Sequence, residues 1–217
     1  MEKVFASVDC NNFYASCEQL FRFDLADAPV VVLSNNDGCV VARSKEAKLL
    51  GIKIGVPYSQ IGELVEKHGV VAFSSKYALY ADMSSRVMTT LEQFALAVEV
   101  YSIDEAFVDL TGVVSCLDLS EFGQQIRTTI CDWIGIKVCV CIAPPKTLAK
   151  LANHAAKKWS KSAGVVVQTD RVRQRKLIAL LPVSEVWGIG SRITKRLNDM
   201  HIYTALDLAD APAYTTC

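Results

Sequence analysis

The spacing of apolar residues changes period several times along the chain. Residues 3–9, KVFASVD, alternate Val4, Ala6 and Val8 with Phe5 and Ser7, and both sets are mostly apolar. Such a run predicts a strand covered on both faces. In NNFYASCEQLF the period lengthens. Phe13, Cys17, Leu20 and Phe21 fall on one face of a predicted helix, with Asn11 or Asn12 placed to cap it. APVVVLSN predicts a second buried strand, closed by a turn at Asn35 to Gly38. SKEAKLLG predicts a short helix capped by Ser44 and ended by Gly51. Gly51, Gly55 and Pro57 break the next stretch into a loop and a short helix. The clearest helical repeat passes through Leu79, Met83, Val87, Leu91 and Phe94. VEVYSIDEAFVDLT predicts two strands bending at Ile103 to Ala106. A helix follows with Phe122, Ile126, Ile130 and Trp133 on one side, then the strand KVCVCIAP, a basic-faced helix PKTLAKLANHAAKKW and a short strand AGVVVQ. The tail DLADAPAYTTC begins a further helical pattern. The order predicts an α+β fold, a mixed, antiparallel-containing sheet backed by helices.

At 217 residues and 51% hydrophobic, the chain can bury a real core as one large domain or two small ones. No apolar run reaches the length of a membrane span, and MEKVFASVDCNNFY lacks a signal-peptide shape, so a cytoplasmic protein with no membrane partner is expected. Its 8 cysteines form no CxxC pair and its 3 histidines lie far apart. Buried reduced thiols fit that pattern better than a zinc site. The net charge is zero but uneven. Residues 137–201 carry 13 Lys and Arg against 3 Asp and Glu, and the remainder carries 10 against 20. One part is therefore suited to a polyanion and another to cations.

The acidic pair Asp104–Glu105 interrupts an apolar run. On a regular strand the two side chains point to opposite faces. A hairpin bend brings both to one rim, and the first strand ends at Asp9. Three carboxylates together repel one another unless divalent cations sit among them. Hard oxygen ligands suit magnesium, and two ions about 3.5–4 Å apart serve in-line phosphoryl transfer. As a lone pair, Asp104 and Glu105 read as ordinary turn residues; the partner at Asp9 and the lysines change that balance. Lys45 and Lys48 are three apart on one predicted helix, and Lys150 and Lys157 seven apart on another, a supply of cations for a triphosphate. Asn12, Phe13 and Tyr14 are placed to floor a sugar site. Gly188-Ile189-Gly190, followed by Arg192, Lys195 and Arg196, has the pattern of a helix-hairpin-helix whose turn offers N–H groups to a nucleic-acid phosphate.

VDCNNFYASCE, NNDGCVVARSKEAKLLG, YALYADMSSRVMTTL, YSIDEAFVDLTG, CIAPPKTLAKLANHAAKK and VWGIGSRITKRL together resemble the Y-family, translesion DNA polymerases of the UmuC type. The resemblance implies a palm at residues 1–13 and 79–167, small fingers at 14–78 and a partial thumb at 168–217. It implies that Asp9, Asp104 and Glu105, with the Cys10 carbonyl, hold two Mg²⁺ ions. Tyr14 is then the steric gate against a ribose 2′-hydroxyl, with Phe13 beside it, and Lys157 a triphosphate contact. Lys45 and Lys48 fall where relatives have a tyrosine and an arginine in the fingers. Primer-template DNA and dNTPs are the implied substrates, and a UmuD-type dimer, a recombinase filament and the sliding clamp the implied partners. Relatives continue into a little-finger domain. A chain ending at Cys217 is expected to lack it, either as a fragment or as a truncated product. The two rival expectations are a non-catalytic module that binds DNA or repair partners, and a palm-type nucleotidyl cyclase acting without nucleic acid.

Overall fold

The computed structural model describes residues 3–95, 97–112, 114–116 and 118–212; the end of the expected tail, with Cys217, lies outside them. Its centre is a five-stranded sheet of order β5-β6-β1-β7-β8. The strands are β1 (Phe5–Cys10), β5 (Val98–Val100), β6 (Glu105–Asp109), β7 (Val138–Ala143) and β8 (Val165–Val167). β1 is antiparallel to both β6 and β7, and only the β7–β8 pair is parallel. β1 and β7 are therefore inner strands, and both their faces are apolar because helices cover the sheet on both sides.

Alternation along the strands sorts residues between two helical layers. Ala6, Val8, Cys10, Val138, Val140 and Ile142 face one core, against α4 (Tyr77–Leu91) and α5 (Leu119–Ile134). Cys139, Cys141 and Ala143 face the other, against α6 (Lys146–Lys158). Cys10, Cys17, Cys139 and Cys141 are buried thiols of these cores. Asp118 starts α5 by accepting from the N–H groups of Ser120 and Glu121, and Gly135 ends it in a left-handed conformation, φ 81°. Phe122, Ile126 and Ile130 face the core as expected, but at the last turn Ile134 is buried in place of Trp133, which is 65% exposed. Phe21, placed by its spacing on the buried face of α1 (Phe13–Leu20), lies past the helix end and is exposed.

A second, three-stranded sheet of order β3-β2-β4 stands beside the first. It joins β2 (Val30–Leu33), β3 (Val40–Arg43) and β4 (Val71–Ser74), with α2 (Lys45–Leu49) and α3 (Gly62–His68) packed around its own core. The apolar pattern predicted only β2. VVAR and VAFS are four-residue strands too short to show a period, and pairing with β2 defines them. The remaining helices are α7 (Arg171–Ala179), α8 (Ser191–Asp199) and α9 (Ala205–Asp210). α7 escapes the hydrophobic pattern because its sequence, RVRQRKLIA, is largely polar and only Leu177 is buried. Val183, Leu197 and Ile202 form a small core between α8 and the turns around it. Among the described residues no helix is long and apolar enough to cross a membrane.

Candidate active site

The acidic residues meet where β1 and β6 end. Asp9 stands directly opposite Glu105 in the antiparallel register, so both side chains leave the sheet on the α6 side. The chain bends at residues 102–104, slightly earlier than expected, and Glu105 is already the first residue of β6. Asp104 lies in the bend. Its carbonyl accepts from the Cys10 N–H at 2.8 Å, and its carboxylate accepts from the Ser102 hydroxyl at 2.7 Å. Backbone pairing thus fixes all three acidic residues at one rim.

Their side chains do not form a ready chelate. Among the described residues no three Asp, Glu, His or Cys side chains stand close enough to hold one metal ion. Two of the three acidic residues are paired with lysines of α6. Lys157 Nζ donates to Asp9 at 2.8 Å, and Lys150 Nζ donates to Glu105 at 2.6 Å. Each lysine is thus paired with one carboxylate of the rim. Glu105 is also held by the Ser7 hydroxyl at 3.3 Å, and Asn153 Nδ2 donates to that hydroxyl at 3.0 Å. Burial raises the pKa of Asp9; Lys157 opposes the rise, and Asp104 and Glu105 add to it. For Lys157 burial favours the neutral amine, but the Asp9 carboxylate outweighs it and its pKa rises as well. Burial outweighs Lys157 at Asp9, whereas the Asp9 carboxylate outweighs burial at Lys157, so both shift upward. The donor set is oxygen-only and negatively charged, which fits a hard divalent cation.

Asp9 and Asp104 open into a cleft of about 380 Å³, lined also by Tyr14, Arg43, Lys48 and Lys157. Tyr14 is half-buried on α1, and its ring stacks on Tyr80 of α4 with centroids 4.2 Å apart and planes at 14°. Phe13 also lines the cleft but is only 4% exposed, so most of its ring belongs to the core. Asn12 occupies the N-cap position of α1 in a left-handed conformation and makes no side-chain cap. Behind the tyrosines, buried Glu18 accepts from the Tyr80 hydroxyl at 2.8 Å and from Lys76 Nζ at 2.7 Å.

Lys45 and Lys48 part company. Lys45 lines a separate depression with Ser16, Gln19 and Lys137. Three residues along a helix separate two side chains by about 60° round the axis, and the cleft edge falls between them. Arg43 stands in the cleft instead, which the sequence reading missed; treating CVVAR as a strand would have pointed Val41 and Arg43 to one side. At the far end, Gly188 takes φ 89°, open to glycine and strained for other residues, and Gly190 is the N-cap of α8. Arg192, Lys195 and Arg196 are exposed along α8. A 3₁₀ turn, Val183–Glu185, precedes the glycines where a full helix was expected. Ile189 packs partly buried on the small core, and its N–H donates to the Val186 carbonyl at 2.9 Å.

The sequence profile of the impB/mucB/samB family matches residues 8–154, which include Asp9, Tyr14, Asp104 and Glu105. The chain belongs to that family. Within it, Protein UmuC of Salmonella typhimurium is 59% identical over 208 residues, covering 95% of this chain and 49% of the relative. DNA polymerase IV of Pelotomaculum thermopropionicum is 33% identical over 208 residues, covering 94% of this chain and 50% of the relative. The insertion ternary complex of Dbh DNA polymerase superposes with a TM-score of 0.84 at 28% identity, covering 96% of this chain and 61% of that one. DinB from Sulfolobus solfataricus gives 0.83 at 28%, covering 96% and 60%. The impB/mucB/samB chain described here thus has the α+β fold of the Y-family polymerases and spans about half the length of the curated relatives it matches.

Proposed function

We propose that this chain is the catalytic core of an error-prone, DNA-dependent DNA polymerase that works across damaged template. The observation that carries the reading is the register: Asp9 faces Glu105, with Asp104 in the bend beside them, at the mouth of a cleft walled by a tyrosine and three cations. Palm, fingers and thumb follow the divisions at residues 14, 79 and 168.

Asp9, Asp104 and Glu105, with the Cys10 carbonyl, would hold two Mg²⁺ ions, which when bound supply charge neutralisation at the reacting phosphoryl oxygens. In the reaction the primer 3′-hydroxyl attacks the α-phosphate of a dNTP and pyrophosphate leaves. The chain's own groups position that exchange. Lys157, Arg43 and Lys48 present positive charge to the triphosphate from two sides of the cleft. Tyr14, backed by Tyr80, sets a hard floor under the sugar, where a ribose 2′-hydroxyl would meet the ring. Exposed Arg192, Lys195 and Arg196, with the N–H groups at the start of α8, suit a DNA phosphate. A UmuD-type dimer, a recombinase filament and the sliding clamp, all cytoplasmic, are the partners proposed by kinship.

The test is single-nucleotide primer extension with Mg²⁺, comparing this chain with Asp104→Ala. Metal- and DNA-dependent incorporation that disappears in the variant is expected. Equal incorporation by both would overturn the carboxylate assignment. Triphosphate turnover without DNA would favour a cyclase, and DNA binding without incorporation a non-catalytic module.

A further inference from the structure

Lys150 pairs with Glu105 but has no part in the proposed reaction, and its ammonium is also met by two aromatic rings. It rises from α6, and its ammonium lies 3.9 Å from the Tyr101 ring centroid and 5.2 Å from that of Trp187. On its remaining side is Glu105, at 2.6 Å. The two rings are locked to each other. Trp187 Nε1–H donates to the Tyr101 hydroxyl at 3.0 Å, and their planes are nearly perpendicular, at 88°. Phe107, two residues beyond Glu105 on β6, stacks on Trp187 with planes at 27°. The ammonium is thus confined between two π-faces and one carboxylate, and a quarter of the side chain is exposed.

The cage joins two distant parts of the chain. Tyr101 and Glu105 flank the bend of the acidic rim, whereas Trp187 immediately precedes Gly188 of the α8 hairpin. A second link runs parallel to it: His154, one turn along α6 from Lys150, lies 3.1 Å from Glu185. We propose that Trp187 is a positioning residue, which with Tyr101 confines Lys150 on Glu105 and so ties the seat of the α8 hairpin to the orientation of that carboxylate. A lysine stem has four flexible carbons, and an ammonium without its ring walls samples other rotamers and other partners. Losing the indole therefore frees Glu105 to turn, while the hairpin keeps its glycines and basic helix. The proposal rests on the polymerase reading for its kinetic consequence, but not for the cage itself.

The experiment has two arms, both on this chain, with Trp187→Leu and Trp187→Phe; the indole is 39% exposed, and phenylalanine keeps the ring face. The first arm is NMR. The ε-CH₂ resonance of Lys150, assigned with Lys150→Arg, is expected upfield of the other lysines from ring currents. In Trp187→Leu that shift shrinks and the Glu105 carboxyl carbon resonance moves; Trp187→Phe restores both. An unshifted Lys150 resonance, or a Glu105 resonance indifferent to Trp187→Leu, overturns the proposal. The second arm is steady-state incorporation. Trp187→Leu is expected to lower kcat roughly three- to thirtyfold, the span of a partly desolvated cation–π contact. KM for the dNTP and Kd for DNA should stay within about twofold. A loss confined to DNA Kd would make Trp187 a mere hairpin support and also overturn the proposal. If wild-type protein incorporates nothing while the NMR coupling holds, the polymerase reading fails and the cage stands.

Discussion

The Tyr80→Phe substitution removes one oxygen from a closed network, and its cost can be worked from the contacts. Glu18 is 3% exposed and Tyr80 fully buried. The Tyr80 hydroxyl donates to one carboxylate oxygen of Glu18 at 2.8 Å, and Lys76 donates to the other at 2.7 Å. Burial, aided by the bond to Glu18, pushes the Tyr80 phenol well above its usual range, so it remains a donor throughout the working pH. Phenylalanine leaves a buried carboxylate oxygen without its donor, at a cost of about 1.5–3 kcal/mol for a bond to a charged group. For a domain of this size that lowers Tm by roughly 3–12 °C. Lys76→Met is the control. Its side chain is 55% exposed, so solvent screening reduces its share to under about 1 kcal/mol. Differential scanning calorimetry of both variants should therefore rank Tyr80→Phe as the more damaging. A Tm unchanged to within about 1 °C, or Lys76→Met costing as much, would refute the reasoning. Because phenylalanine keeps the ring under Tyr14, ribonucleotide exclusion should survive in Tyr80→Phe and weaken in Tyr80→Leu.

Three other outcomes are expected. Asp9 has a folded pKa above its ordinary 3.8, so the folded chain holds more protons than the unfolded one between those values and loses stability as pH rises through the window. Urea melts in metal-free buffer should show that slope flattened in Asp9→Asn; an unaltered slope would contradict the burial argument. Gly135→Ala forces an L-residue to φ 81° and brings a Cβ within 2.3 Å of Leu20 Cδ1. The backbone part alone costs about 1–2 kcal/mol, a Tm loss of roughly 2–8 °C, which a melting curve reads directly. Replacing both Lys195 and Arg196 by Gln should reduce the slope of log K against log salt for duplex binding by about 1.8, and a slope that stays put would remove α8 from the DNA interface.

Residue order alone determined much of this protein. Periods of two and of 3.6 located β1, β7, α4, α5 and α6, because inner strands and two-layer helices must carry their burial pattern locally. The acidic rim was legible for the same reason, since a bend in an apolar run has to put its polar residues at an edge. What only the tertiary structure decided lies in contacts between distant segments. β3 and β4 exist because β2 offers them partners, and their four residues are too few to carry a signal. Lys157 reaches Asp9 across 148 positions, Lys76 reaches Glu18 across 58 and Lys150 reaches Glu105 across 45. Sequence spacing placed Lys150 and Lys157 on one helix face, but sheet order and the docking of α6 chose which carboxylate each would hold. An ion pair depends on a few ångströms of side-chain reach, and that distance is set by packing between layers, which no local pattern encodes.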